Sequence, residues 1–245
     1  MFSVKHLYKS FNNLETLENV SLNVKNHEFV SIIGPSGTGK STLLQIISGI
    51  EKPNSGEISL DNKTIKDRKG KFGYMPQELS LLPWKTVLEN IMLGFVILGK
   101  PKEQAKRRAH ELLEKFNLLE FADFYPKALS GGMQQRVALL RTVLFNPSFL
   151  LLDEPFRSLD ALTRHEMQMW LLSVYETFNS SVLFVTHDIQ EAILLSDRIY
   201  VLGNRPATVI KEVKVDLQRP RKLTDLTKSS AVVLEKKLLS LLTKN

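Results

Sequence analysis

The sequence contains no cysteine among its 245 residues. Disulfide bonds and cysteine-ligated metal sites are therefore excluded, and the absence fits a reducing compartment. Stability must come from an ordinary hydrophobic core, which a chain of this length is able to bury. A hydrophobic content of 43% and a charged content of 24% indicate a globular protein rather than a disordered one.

Long apolar segments are missing as well. The longest apolar run, residues 91–98, is interrupted by Gly94 and falls far short of the roughly 20 residues that a spanning helix needs. The first residues, MFSVKHLYKSFNN, lack the apolar core of a signal peptide. We therefore expect that the chain does not cross a membrane by itself.

The sequence also lacks a basic stripe interleaved with aromatic residues. Its net charge is +7, but the positive residues are scattered, with small clusters only at 102–108 and 219–222. Solvated lysines explain this excess more simply than a surface for nucleic acid or anionic lipid. We predict no nucleic-acid partner.

What the sequence does contain is a phosphate-binding turn, GPSGTGKST, directly after the apolar run FVSII. It matches G-x-x-x-x-G-K-[ST] between a predicted strand and a predicted helix. Its glycines let the backbone turn N–H groups inward around a phosphate, and the helix adds the positive end of its dipole. The residues predicted to bind the nucleotide here are Gly34, Pro35, Ser36, Gly37, Thr38, Gly39, Lys40, Ser41 and Thr42.

Two side chains of this turn carry specific chemistry. Lys40 is predicted to place a point charge on the β- and γ-phosphates, and Ser41 to offer its hydroxyl to Mg²⁺. The sequence therefore predicts that the chain binds a nucleoside triphosphate together with Mg²⁺.

The segment FLLLDEP supplies an acidic pair at the end of a second apolar strand. Asp153 is positioned to hold Mg²⁺ through water, and Glu154 is the candidate general base for the attacking water. A simple GTPase would instead position water with a glutamine or a similar group elsewhere.

His187 follows a third apolar strand, SVLFVT. From the pattern alone, a contact with the γ-phosphate and a role as a helix cap or solvated loop residue are about equally favoured. Gln77 and Phe11 by themselves are an ordinary loop glutamine and an ordinary half-buried aromatic residue.

A second glycine turn, LSGGMQQR, opens another helix at residues 129–136. Ser130 alone is explained as a helix cap, but a cap does not explain why Gly131 and Gly132 follow it. One triphosphate has only one γ-phosphate, which the first turn already surrounds. Either the second turn is unoccupied, or it serves a nucleotide that another molecule holds.

The predicted fold class is α/β. Short N-terminal strands, including a hairpin across Asp61 and Asn62, accompany parallel strands at 29–33, 149–152 and 182–185. The stretch of about 85–145 has a helical period and no strand signal, and therefore indicates an inserted helical subdomain. Residues 205–245 form a tail with a strand near 208–215 and a last helix, whose leucine stripe is typical of docking on its own domain.

The order GPSGTGKST, Gln77, LSGGMQQR, LLLDEP, SLD and THD resembles the ATP-binding cassette (ABC) ATPases over essentially the whole chain. The resemblance implies a P-loop NTPase with a RecA-like parallel-sheet core and an N-terminal antiparallel part. It also implies two cassettes packed head to tail, with ATP between the first turn of one and LSGGM of the other. Phe11 is then expected to stack on adenine, and His187 to act catalytically at the γ-phosphate. Gln77 is expected to be a catalytic residue that binds Mg²⁺ and connects the metal and the water to the membrane partner. The further residues assigned to the nucleotide are Ser130, Gly131, Gly132, Gln134 and Asp160.

The resemblance also implies an organisation and partners. The β part and core would comprise residues 1–84 and 146–204, the helical signature subdomain 85–145, and the tail 205–245, all within one domain. The segment after Gln77 and the tail are similar to importer ATPases for nitrate, sulfonate, taurine and thiamine precursors. A membrane permease would contact the segment from Gln77 to Trp84 at the cytoplasmic face of the inner membrane, and a solute-binding protein would act indirectly. From size alone, Trp84 is instead favoured as a core residue. An exporter ATPase, or a non-transport cassette acting on DNA or ribosomes, is the alternative.

Overall fold

The computed structural model of the chain describes residues 1–68, 70–144, 147–178 and 180–243. Within these residues the strands are β1 (Phe2–Phe11), β2 (Leu14–Val24), β3 (Phe29–Ile33), β4 (Ser55–Leu60), β5 (Lys63–Thr64), β6 (Gly73–Met75), β7 (Phe149–Asp153), β8 (Ser181–Val185), β9 (Arg198–Leu202) and β10 (Val209–Lys214). The helices are α1 (Lys40–Ser48), α2 (Val87–Ile97), α3 (Lys102–Lys115), α4 (Gly131–Val143), α5 (Ala161–Phe178), α6 (Ile189–Leu195) and α7 (Ser229–Thr243), with 3₁₀ turns at Leu119–Phe121, Pro126–Ala128 and Leu223–Thr227.

A six-stranded sheet forms the centre of the molecule, in the order β10-β9-β3-β8-β7-β6. All neighbouring strands are parallel except β10, which pairs antiparallel with β9. Every residue of β3, β7 and β8 is buried, as expected for strands covered by helices on both faces. Because these three strands are adjacent and parallel, the loops at their carboxyl ends meet at one edge of the sheet.

The N-terminal part is an antiparallel sheet in the order β2-β1-β4-β5. Its hairpin turns at Asp61 and Asn62, whose φ values of 51° and 61° match a tight turn with two left-handed residues. This sheet shares one hydrophobic core with α1 and with one face of the central sheet. The strands β1 and β2 have 10 and 11 residues and are longer than the short N-terminal strands that the sequence predicts.

The helices α2, α3 and α4 lie inside the range predicted as helical. They share a second core with α5 and the other face of the central sheet, through residues such as Phe95, Leu113 and Leu140. The described part of 85–145 contains no strand. The limits of the subdomains stay a prediction.

The tail packs back onto the chain that carries it. Leu238 of α7 is fully buried with Ile199 and Val213, and Leu234, Leu241 and Leu242 pack against the same cluster. The predicted docking of this leucine stripe on its own domain is confirmed. Among the described residues, no helix combines the length and apolar character that a membrane crossing requires.

Two strands and one tryptophan differ from expectation. The sequence patterns did not predict β6, which is only three residues long, or β9, which begins with the charged Arg198. The interpretation of Trp84 as a core residue is wrong, because its side chain is 70% exposed.

Candidate active site

The first glycine turn joins β3 to α1, and its glycines are required by the local geometry. Gly37 and Gly39 have φ values of 75° and 106°, which side chains rarely adopt. A Cβ at position 39 would also lie 2.8 Å from Cγ2 of Thr16. A Cβ at Gly34 would lie 3.0 Å from the carbonyl oxygen of Leu202. Neighbouring residues outside the turn therefore leave no space for a side chain at positions 34 and 39.

The helix after this turn begins without a side-chain cap. Gly39 is its N-cap residue, and its first turn contains no acidic residue. The N–H groups and positive dipole end of α1 are therefore available to an anion. Nζ of Lys40 donates hydrogen bonds of 2.8 Å to the carbonyl oxygens of Gly34 and Pro35, which keeps the ammonium inside the turn. Burial lowers the pKa of Lys40, against the opposing charges of Glu154 and Asp153.

Ser41 and Asp153 place a hydroxyl oxygen and a carboxylate oxygen next to each other in the site. Oγ of Ser41 donates a 3.0 Å hydrogen bond to Oδ1 of Asp153, and Asp153 is only 2% exposed. Burial raises the pKa of Asp153 to about 6, with the charge of Glu154 acting in the same direction.

A hydroxyl beside one carboxylate suits Mg²⁺, which binds through few protein oxygens together with substrate phosphates. In the described part of the chain, no cluster of three or more acidic or histidine side chains could hold a metal by itself. Ser41 and Asp153 therefore fit a cation that arrives with a nucleotide. Gln77, the third predicted ligand, is exposed in the loop between β6 and α2.

Glu154 and His187 face each other across neighbouring strand ends. Glu154 has a left-handed backbone with φ 43°, and its N–H donates a 2.9 Å hydrogen bond to the carbonyl of Val185. Nδ1 of His187 lies 3.2 Å from Oε2 of Glu154. Since an ionised carboxylate only accepts hydrogen bonds, Nδ1 carries the proton in this contact. Nη1 of Arg157 approaches the same oxygen at 3.6 Å.

Phe11 presents an aromatic surface at the end of β1. Its side chain is 40% exposed, and Nζ of Lys9 lies 4.4 Å from the ring centroid. Lys9 is itself anchored by Glu51 at 2.8 Å and by the carbonyl of Lys52 at 2.9 Å. The ammonium is therefore held against the ring.

The second glycine turn opens α4 at the surface. Ser130 caps the helix, since its Oγ accepts a 3.3 Å hydrogen bond from the N–H of Met133. A Cβ at Gly131 would meet only Cδ2 of Leu159, at 4.0 Å, whereas one at Gly132 would lie 3.0 Å from Cγ2 of Thr163. The chain's own packing thus leaves room for a side chain at position 131.

Two other predicted nucleotide ligands make local bonds. Nε2 of Gln134 donates to the carbonyls of Pro126 at 3.0 Å and Leu129 at 3.3 Å, which fixes the segment before the turn. Oδ1 of Asp160 accepts hydrogen bonds of 3.1 Å from the N–H groups of Leu162 and Thr163 at the start of α5. A side-chain hydrogen bond with Thr163 lowers the pKa of Asp160, and these backbone bonds act in the same direction.

The structure thus gathers Lys40, Ser41, Asp153, Glu154 and His187 at one sheet edge. The model of the ABC transporter family matches residues 17–157, which include both glycine turns and the acidic pair. The chain belongs to this family. The family resemblance, the α/β P-loop fold and the ATPase activity predicted from the sequence are confirmed, and the chain binds and hydrolyses ATP.

The relatives of this ABC ATPase include named import subunits. It is 44% identical to the formylaminopyrimidine import ATP-binding protein ThiZ of Halalkalibacterium halodurans, over 92% of this chain and 89% of that protein. It is 42% identical to the aliphatic sulfonates import ATP-binding protein SsuB of Bacillus anthracis, over 90% of this chain and 86% of that protein. The cassette MJ0796, solved as a dimer in a post-hydrolysis state bound to ADP and Pi, is 36% identical with a TM-score of 0.77, covering 89% of this chain and all of that one.

Sequence reasoning missed two cations next to the predicted site. Lys9 lies two residues before Phe11, and Arg205 donates a hydrogen bond to the carbonyl of Gly37 in the first turn. A lysine two positions before an aromatic residue is common in a strand, and Arg205 is 168 positions from Gly37 in sequence. No local sequence pattern therefore marks either residue as part of the site. Only the fold brings them to the site.

Proposed function

We propose that this chain is the ATP-hydrolysing subunit of an importer for a small solute, working as a head-to-tail pair bound to a membrane permease. The observation that carries the proposal is the second glycine turn. Position 131 is exposed and has space for a side chain, yet it holds glycine, which is poor in helices. A requirement from outside the chain explains this choice, and a nucleotide on a second copy satisfies it.

Each site is then shared between two copies. The first turn of one copy holds the phosphates through its N–H groups and Lys40, and Ser130, Gly131 and Gly132 of the other copy approach them from the opposite side. Dimerisation of the related cassette MJ0796 supports this arrangement. An isolated copy would be an incomplete enzyme.

Hydrolysis in this site is a phosphoryl transfer to water. Glu154 accepts the proton of the attacking water, and His187, whose Nδ1 lies 3.2 Å from Oε2 of Glu154, would contact the γ-phosphate from the neighbouring strand end. Mg²⁺, when bound beside Ser41 and Asp153, would neutralise charge on the phosphate oxygens. Lys40 stabilises the developing charge from inside the first turn.

The permease is proposed to contact the segment between Gln77 and Trp84. Hydrogen bonds from the fully buried side chain of Asn90 hold this segment in place. Its Oδ1 accepts a 2.8 Å hydrogen bond from the N–H of Leu82, and its Nδ2 donates to the carbonyls of Leu82 and Lys85. Arg141 donates to the carbonyl of Ser80 at 2.8 Å. A firmly held loop that exposes a tryptophan is well suited to be an interface.

The transported solute does not touch this subunit, so its class is inferred from the relatives alone. The import subunits ThiZ and SsuB are named for formylaminopyrimidine and aliphatic sulfonates, which favours import over export. We place the pair at the cytoplasmic face of the cell membrane. On the opposite face of the membrane, a solute-binding protein would deliver the solute to the permease.

Mixing two inactive variants tests the shared site. Lys40→Met removes the first turn's charge, and Gly131→Glu places a carboxylate in the second turn. A mixed pair keeps one intact site, so we expect each variant alone to be inactive and the mixture to recover a measurable part of the ATPase activity. Recovery confined to higher protein concentrations supports the proposal. No recovery in mixtures whose pairing is verified by crosslinking contradicts it.

The permease contact is tested separately, with the membrane permease that the chain energises. Trp84→Ala is expected to weaken co-purification with that permease while leaving ATP binding intact. Trp170→Phe, which keeps an aromatic ring next to Phe116 at a partly buried position of α5, serves as the control. Equal co-purification of both variants with the permease would contradict the assignment of this surface.

A further inference from the structure

The loop that carries His187 is tied to a buried carboxylate. Glu191 lies in the first turn of α6, but it is only 5% exposed. Its Oε2 accepts a 2.6 Å hydrogen bond from Oγ1 of Thr186, the residue directly before His187. The same hydroxyl oxygen accepts a 3.0 Å bond from the N–H of Asp188, directly after it. The backbone on both sides of His187 is therefore fixed through one hydroxyl and one carboxylate.

Capping of the helix does not explain this buried glutamate. Asp188 already caps α6, because its Oδ1 accepts hydrogen bonds from the N–H groups of Gln190 at 2.8 Å and Glu191 at 3.1 Å. A glutamate in the first turn would ordinarily remain in water, since burying a carboxylate has a free-energy cost. The side chain turns inward instead, toward α5.

Two side chains of α5 meet Glu191 there. Nε2 of Gln168 donates a 3.2 Å hydrogen bond to Oε1, and Nε of Arg164 lies 3.9 Å from the same oxygen. Nη1 of Arg164 lies 3.8 Å from Oδ2 of Asp188. One guanidinium therefore faces both carboxylates of the loop that carries His187.

Arg164 also reaches the turn before α5. Its Nη2 donates a 3.0 Å hydrogen bond to the carbonyl of Leu159, the central residue of Ser158-Leu159-Asp160. Leu159 is the residue nearest to the open position at Gly131, with Cδ2 at 4.0 Å from a Cβ built there. The guanidinium thus connects the surface that would receive the second copy with the loop of His187.

We propose that Arg164 and Glu191 are positioning residues for His187, which connect the Ser158–Asp160 turn to the strand end that carries the histidine. The inference rests on the proposed role of His187 in hydrolysis. The path, called the Arg164–Glu191 bridge below, runs from the Leu159 carbonyl through Arg164 and Glu191 to Thr186. Docking of a second copy against the turn then fixes the histidine in its working orientation. The bridge acts through the orientation of His187, so we expect its loss to lower turnover and not ATP binding.

Kinetics of the full chain test the bridge. Arg164→Met and Glu191→Gln keep the side-chain volumes, and we expect each to lower kcat about tenfold while the Kd for MgATP changes by less than about twofold. Glu166→Gln, on the exposed face of the same helix, is the matched control and is expected to keep wild-type kcat. An unchanged kcat in both bridge variants overturns the inference.

A double-mutant cycle separates positioning from general loss of structure. If Arg164 acts through His187, Arg164→Met is expected to change the residual kcat of His187→Ala by less than about twofold. A full tenfold further loss in that background would show that Arg164 acts by another route, and would overturn the proposal.

The NMR signal of the His187 ring provides a readout that needs no turnover. Its ring C–H cross-peak, assigned by its absence in His187→Ala, is expected to shift in Arg164→Met and Glu191→Gln but not in Glu166→Gln. An unmoved signal in both bridge variants contradicts the proposal even if the wild-type chain is inactive. Absence of wild-type ATP turnover with the permease contradicts the proposed function instead, so the two failures are distinguishable.

Discussion

Oγ of Ser41 donates a 3.0 Å hydrogen bond to Oδ1 of Asp153 and so joins the first turn of α1 to the end of β7. The two residues are 112 positions apart in sequence. Burial raises the pKa of the Asp153 carboxyl group to about 6, and the hydrogen bond from Ser41 acts in the opposite direction. The pair therefore holds an ionised oxygen at neutral pH at a free-energy cost to the fold, which is expected where a cation is to be bound.

Replacing this carboxylate is expected to stabilise the fold and abolish activity. Without nucleotide and Mg²⁺ at pH 8, Asp153→Asn removes the cost of burying a charge while its amide oxygen still accepts from Ser41. From a pKa that rises from 3.8 to about 6, the gain in the free energy of unfolding is at most about 3 kcal/mol. Thermal unfolding measured by calorimetry checks the gain, and Mg²⁺-dependent ATP hydrolysis checks the loss.

The sign of the pH dependence follows from the same shift. The folded state binds more protons than the unfolded state between pH 3.8 and about 6, so the contribution of Asp153 to stability falls as the pH rises through this window. The advantage of Asp153→Asn is complete above about pH 6 and disappears toward pH 3.8. Equal stability of wild type and Asp153→Asn at pH 8 would contradict the argument.

Glu154→Gln is expected to lower kcat at least about a hundredfold while ATP binding is retained. An amide cannot accept the proton of the attacking water, but it still fits between His187 and Arg157. With hydrolysis blocked, ATP should hold two copies together, so size-exclusion chromatography with MgATP is expected to show a dimer. Near-normal turnover in this variant would remove the assignment of Glu154 as the base.

Much of this site follows from sequence because short motifs stand at the ends of buried strands. The apolar runs of β3, β7 and β8 predict the parallel sheet, and their adjacency brings Lys40, Asp153 and His187 to one edge. The strand β9 was missed because its apolar run is only four residues long and follows the charged Arg198. The guanidinium is buried there with both carboxylate oxygens of Glu28, 170 residues away in sequence, accepting its hydrogen bonds at 2.6 and 2.7 Å, and Glu212 and Asn23 accept further ones.

Dependence on partners that are distant in sequence also limits the prediction of residues that hold the tail in place. Arg221 is buried and donates to the carbonyls of Ile193 and Leu217, which fixes the tail to the end of α6. In the sequence it is part of a small basic cluster that reads as solvated. Partners that are distant in sequence decide whether such a charge is exposed or buried, and the local pattern does not contain them.

Gly131→Ala separates activity from stability at the second turn. A methyl group has room at this position, and alanine is favoured over glycine in helices, so we expect the midpoint of thermal unfolding to stay the same or rise. ATPase activity is expected to fall at least about tenfold, because the methyl group stands where the nucleotide of a second copy would approach. A variant with wild-type activity would show that position 131 does not face a nucleotide.

Phe11→Ala is expected to raise KM for ATP about tenfold while kcat changes little, because stacking on a base contributes about 1–3 kcal/mol and is remote from the phosphates. Nζ of Lys9 lies 4.4 Å from the ring centroid, and the ring remains 40% exposed for a base to stack on. Steady-state kinetics of Phe11→Ala and Phe11→Tyr check this, and the tyrosine variant should keep the wild-type KM because it keeps the ring. A rise in KM that is equal in both variants, or a loss confined to kcat, would assign Phe11 to something other than the adenine.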